Sequence, residues 1–248
     1  MTREIESYER LLRVGVTGRR HIAPKALREI YQTTRAFFEI LSETDADVEF
    51  LSGLAIGADS IAARFAIAAR DAAPIGKFAV VGVFPTPRQE YAKDFSLDAA
   101  PGEISERRAF EETLDRCDAI RTVPNPNGLS HYETYALLGD YLCENADVLL
   151  AYWSGDASKI KPGGTTDVVL KKLARRKIGE DTLVYCVYTP ELFREKDGAG
   201  REVYRSEPID DAGKVALLQD VPTAPIRFVE RDEANKEFRE ALTRRLKK

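Results

Sequence analysis

Six apolar runs punctuate the chain: Leu11–Thr17, Val48–Leu51, Phe78–Phe84, Ala119–Val123, Asp147–Trp153 and Thr182–Tyr188. Runs of this length, closed by Gly, Pro or Ser, predict strands, and those that are apolar throughout predict strands covered on both faces. Between the runs the spacing changes. Leu27, Ile30, Tyr31, Thr34, Phe37, Phe38 and Leu41 recur every three or four positions, predicting a helix over Lys25–Ser42 with Pro24 in its first turn. Further helices are predicted from Gly57-Ala-Asp59 through Arg70, over Ser105–Arg116, His131–Glu144 and Asp167–Lys177, whereas Arg88–Pro101 reads as irregular or a short helix.

Strand and helix alternate, which favours right-handed crossovers and parallel pairing. The expected fold is α/β, a Rossmann-like three-layer α/β/α sandwich around a mostly parallel sheet. Beyond Pro190 the pattern weakens. Glu191–Pro225 is charged and turn-rich with a possible short element at Val215–Leu218, Ile226–Val229 is a candidate edge strand, and Asp232–Leu246 is a closing helix. The expectation is one domain over residues 1–248, with its core at 11–188 and a C-terminal extension at 189–248.

Composition narrows the function classes. At 248 residues and 44% hydrophobic content the chain suits one large α/β domain with a sizeable core. Net charge is −4, with basic residues interspersed among acidic ones, so nucleic acid is an unlikely partner. No apolar run approaches the roughly 20 residues that cross a bilayer, and no membrane partner is expected. Met1–Tyr8 is charged and lacks a signal-peptide apolar core. Cys117, Cys143 and Cys186 are an odd count without a CxxC pair, which suits buried free thiols in a reducing cytoplasm. Two histidines, His21 and His131, show no metal-ligand spacing, and neither a metal nor a cofactor is expected.

The candidate chemistry lies where predicted strands end. Gly15-Val16-Thr17-Gly18-Arg19-Arg20 follows the first strand, and Pro162-Gly163-Gly164-Thr165-Thr166-Asp167 precedes a helix. A helix start leaves N–H groups unpaired at the positive end of its dipole, which attracts phosphate. The other strand ends contribute Ser52, Gly53, Gly57 and Asp59, then Phe84, then Trp153. Phosphate on the amides, Arg19 or Arg20 on a second phosphate and a base on an aromatic such as Trp153 would account for this mixture. Asp59 and Asp167, with Arg19 orienting, are candidates for acid–base work, and either carboxylate also suits a helix first turn structurally. Trp153 is equally suited to the core, and Tyr132 and Tyr135 to core or cleft. No carboxylate partner for His21 or His131 is evident in sequence, so a triad is not supported.

In their order, Gly15–Gly18, Ser52–Asp59, Tyr135–Gly139, Asp147–Gly155 and Gly163–Asp167 resemble the SLOG superfamily over roughly Leu11–Tyr188. This group of modified Rossmann folds includes the LOG phosphoribohydrolases, the Smf-type DNA-uptake proteins, and the nucleotide-sensing regions of TRPM channels and bacterial defence proteins. The resemblance implies a nucleotide or an ADP-ribose-type molecule at the strand ends. LOG members cleave nucleoside monophosphates with an arginine and a glutamate near a Pro-Gly-Gly-x-Gly-Thr-x-x-Glu turn. Here the turn lacks the further glycine and the glutamate, and its Gly-Gly-Thr-x-Asp form is similar to the TRPM and defence-sensor branch. The implied function is a homo-oligomeric nucleotide or second-messenger sensor, in bacterial stress or antiphage signalling. The alternative is a LOG-type nucleotide N-glycosidase, while single-stranded DNA binding of the Smf kind is opposed by the acidic charge.

Overall fold

The predicted strands form one sheet with a helical layer on each face. A computed structural model describes residues 10–177, 182–198, 202–206, 209, 211–224 and 226–247; the charged segment Met1–Tyr8 lies outside them. In chain order the strands are β1 (Leu11–Gly18), β2 (Asp47–Ser52), β3 (Phe78–Phe84), β4 (Ala119–Thr122), β5 (Val148–Trp153), β6 (Leu183–Tyr188), β7 (Leu192–Lys196), β8 (Glu202–Ser206) and β9 (Val215–Leu218). Seven of them make the sheet in the order β4-β3-β2-β1-β5-β6-β9, and β7 with β8 forms a separate hairpin. All sheet pairs are parallel except β6 with β9.

The helices are α1 (Leu27–Ser42), α2 (Ala58–Ala72), α3 (Arg88–Tyr91), α4 (Glu106–Leu114), α5 (His131–Asn145), α6 (Thr165–Lys177) and α7 (Arg231–Leu246). Strand alternation divides the core between the two faces. Leu150 and Tyr152 of β5 join Phe37, Phe38, Ala62 and Phe238 on one side, beneath α1, α2 and α7. Leu149, Ala151 and Trp153 join Val168, Val169 and Leu173 of α6 on the other. The second face continues as Leu51, Val81 and Val83 beneath Leu138 and Leu142 of α5. This two-sided burial explains why the runs are apolar rather than alternating.

The C-terminal segment is built onto the sheet at one edge. β9 extends it beyond β6, and Phe238 of α7 stacks on Phe37 of α1 with ring centroids 5.2 Å apart. The candidate strand Ile226–Val229 is not one; only Val229 bridges to Val215, while Ile226 and Phe228 pack against the α6-side core. The hairpin of β7 and β8 falls within the stretch expected to be turn-rich. Its strands, Leu-Phe-Arg-Glu-Lys and Glu-Val-Tyr-Arg-Ser, lack the apolar run of a covered strand because they belong to a two-stranded ribbon. Among the described residues no helix is long and apolar enough to cross a membrane.

Winding changes direction between β1 and β5. From β1 the chain proceeds through β2 to β4 on one side, and β5 and β6 lie on the other. The crossovers leaving these two strands therefore diverge, and a crevice opens beyond their carboxyl ends.

Candidate functional site

A cleft of about 960 Å³ occupies that crevice. Its floor is the end of β1, with Val16, Thr17 and Gly18. A Cβ on Gly18 would lie 2.3 Å from Ala58 Cβ and 2.9 Å from Tyr152 Cβ, so only glycine lets β1 close against both α2 and β5. The cleft is lined further by the turn Lys161–Gly164, by Thr165 and Val168 of α6, by Arg20, Asp59, Tyr91 and Asp94, and by the first turns of α5.

The glycine turn differs in detail from the sequence expectation. Gly163 holds φ +72°, and a Cβ there would lie 2.7 Å from the Tyr135 carbonyl carbon, so the turn is pressed onto α5. Its N–H donates to Asp167 Oδ2 at 2.9 Å, and the Gly164 N–H donates to the Lys161 carbonyl at 2.8 Å. Both amides expected to face an anion are thus used within the protein. Helix α6 begins at Thr165, two residues before the expected start, and the N–H groups of Thr165, Thr166 and Asp167 have no acceptor among the described residues. Asp167 closes the turn and also pairs with Lys171 at 3.0 Å, so its carboxylate is a capping group.

Other predicted residues build the walls without lining the cleft. Trp153 is fully buried and its indole N–H donates to Thr166 Oγ1 at 2.9 Å, so neither ring face is available for a base. Phe84 is core, between Tyr91 at 5.0 Å and Phe110 at 5.6 Å. Ser52 is buried and its hydroxyl accepts from the Leu54 N–H at 3.0 Å, shaping a loop in which Leu54 takes φ +53°. The Gly53 carbonyl accepts from Tyr91 at 2.7 Å, and Gly57 sits against the carbonyls of Arg19 and Arg20. Arg19 turns away: its guanidinium pairs with Glu191, which also holds Lys159 at 3.2 Å. No local pattern announces this pair, because Glu191 arrives from the segment after β6.

Arg20 and Asp59 do line the cleft, within a polar network. Arg20 bonds to the Tyr135 hydroxyl at 3.2 Å, Tyr135 donates to Asp94, and Asp94 Oδ1 lies 2.8 Å from His131 Nε2. This pairing supplies the carboxylate that sequence reading did not find for His131. Asp94 lies in the stretch expected to be irregular or a short helix, 37 residues from its partner, and no spacing signal announces it. Desolvation in the cleft wall pushes the Asp59 carboxyl up to about 7, against the pull of the Arg20 charge and the Ala55 backbone. A carboxyl that is partly protonated near neutrality can donate as well as accept a hydrogen bond.

Neither a protein-family model nor a curated protein matches the chain. Among solved structures it is similar to the molybdenum cofactor binding protein of Rippkaea orientalis, at 18% identity, covering 68% of this chain and 74% of that one, with a TM-score of 0.37. It is similar to DNA processing protein A from Streptococcus pneumoniae at 13% identity, covering 71% of this chain and 50% of that one, with a TM-score of 0.40. DNA processing protein A from Helicobacter pylori, described with a single-stranded DNA binding mode, shows 15% identity over 66% of this chain and 59% of that one, at a TM-score of 0.36. The chain therefore spans only half to three fifths of the two DNA processing proteins. The fold assignment rests on the strand order and layers of this chain itself.

Proposed function

We propose that the cleft binds a nucleotide or an ADP-ribose-type molecule, and that the protein is a ligand sensor of the SLOG kind. The supporting observation is the start of α6, where the N–H groups of Thr165, Thr166 and Asp167 are without acceptors among the described residues and Thr165 lines, with Lys161, a cleft at the sheet's switch point. A phosphate there receives the helix dipole, backbone donors and one ammonium. Arg20, which also lines the cleft, provides a second cationic group, and Asp59 a partner for sugar hydroxyls. Because Asp59 is partly neutral near pH 7, it repels a phosphate less than an ordinary carboxylate would. In this reading the Gly-Gly turn carries no direct ligand bond and serves to present the next three amides.

The signalling context, the cytoplasmic setting and a homo-oligomeric state belong to the same proposal. Isothermal titration with AMP and ADP-ribose, followed by size exclusion with and without ligand, tests it. Micromolar binding that is lost in Lys161→Ala, Arg20→Ala protein supports the reading, and no binding of either nucleotide by folded protein refutes it. A second reading, hydrolysis of the ligand's glycosidic bond, is favoured by the raised Asp59 carboxyl, poised for acid–base work inside the cleft. Chromatography for free base after incubation with nucleoside monophosphates separates the two: a sensor releases none.

A further inference from the structure

Tyr132 is the one tyrosine of the cleft wall whose ring is left uncovered. It stands in the first turn of α5, lines the same cleft as the start of α6, and is 81% exposed. Tyr91 is buried, with its hydroxyl on Gly53 and its ring among Phe84, Phe95 and Phe110. Tyr135 is held by Asp94 and Arg20. The Tyr132 hydroxyl has no partner among the described residues, and its sole ring neighbour there is His131, edge-on at 6.0 Å.

The backbone beneath Tyr132 is nevertheless fixed. Glu133 accepts from the Ser130 N–H at 2.9 Å and from the Ser130 hydroxyl at 2.5 Å, closing a capping box, and the His131–Asp94 bond ties the same turn to Asp94, three residues after the end of α3. An aromatic ring on an anchored turn, with few rotatable bonds of its own, loses little entropy when a planar group lies on it. Burial of a hydrophobic ring against a core explains Tyr91 and does not explain Tyr132.

We propose that Tyr132 is the stacking surface for the base of the bound nucleotide, the part that Trp153 is placed too deep to play. The inference rests on the phosphate reading of the α6 start and adds that the ligand carries a planar aromatic ring at its other end. A cleft of about 960 Å³ is at the upper end of the roughly 300–1,000 Å³ usual for small-molecule sites, so it holds a nucleotide with space to spare.

Isothermal titration of AMP and of ribose 5-phosphate into wild-type, Tyr132→Ala and Tyr132→Phe protein tests this. Loss of one base–aromatic stack weakens binding by roughly 5- to 150-fold. Tyr132→Ala is expected to weaken AMP within that range and to leave ribose 5-phosphate within about twofold, while Tyr132→Phe binds AMP like the wild type. Equal losses for both probes, or no loss for AMP, overturn the stacking role while leaving the phosphate seat standing. If wild-type protein binds neither probe, the seat fails and the stacking proposal fails with it. An exposed position makes folding of the variants a minor concern.

Discussion

Replacing Asp59 by Asn tests the electrostatics of the cleft without a ligand. Asn has the shape of the protonated acid, and its carbonyl can accept the same backbone hydrogen bond near Ala55. In the unfolded chain the Asp59 carboxyl titrates near its ordinary 3.8, and in the folded chain at about 7. The folded protein therefore holds this proton to higher pH. Ionisation of Asp59 destabilises the fold above neutrality, and the penalty disappears as pH falls through 7 toward 4. The full gap corresponds to a ceiling of about 4 kcal/mol. Part of the residue faces the cleft and is reached by water, so roughly half of that, about 2 kcal/mol, is the working figure. For a chain of this size it corresponds to a gain of about 4–8 °C in melting temperature for Asp59→Asn at about pH 8.5. At about pH 4.5 the gain falls to roughly a quarter. Thermal melts of both proteins across this range read the difference, in which the other carboxylates cancel. A variant less stable than wild type at high pH, or a gain independent of pH, refutes the reasoning.

Three further substitutions probe the scaffold. Gly18→Ala places a methyl group 2.3 Å from Ala58 Cβ and is expected to cost about 1–3 kcal/mol in urea unfolding by forcing α2 off β1. Phe238→Ala removes the ring that holds α7 to α1 and to Tyr185; a loss of about 3–5 kcal/mol by the same assay is expected. Glu191→Gln leaves the Arg19 guanidinium without its carboxylate, with an expected loss of about 2–4 kcal/mol in the same urea unfolding. A neutral Glu191→Gln variant would mean that the pair does not anchor the segment after β6.

The sheet was legible because strands buried on both faces leave an unambiguous apolar run: Phe78–Phe84 is observed with the expected bounds. Helix starts were less sharply marked. Thr165 and Thr166 read as loop residues, yet they belong to α6, and this two-residue offset moves the free amides from Gly163 and Gly164 to Thr165 and beyond. Trp153 ends a strand, as predicted, but alternation along β5 points it beneath α6. The polar network required the fold. Asp94, His131, Tyr135 and Arg20 come from three separate segments, and no local pattern links them. The ribbon of β7 and β8 escaped for the opposite reason, since it has no covered face to write an apolar period.

The central claim is that an anionic group docks on the amides of Thr165, Thr166 and Asp167. Backbone amide NMR spectra recorded while AMP is titrated into the protein address it directly. The account predicts that these three resonances move most, with Lys161 close behind, while the internally bonded amides of Gly163 and Gly164 move less. Binding that leaves all three unmoved, or that shifts a set of amides outside the cleft, contradicts it.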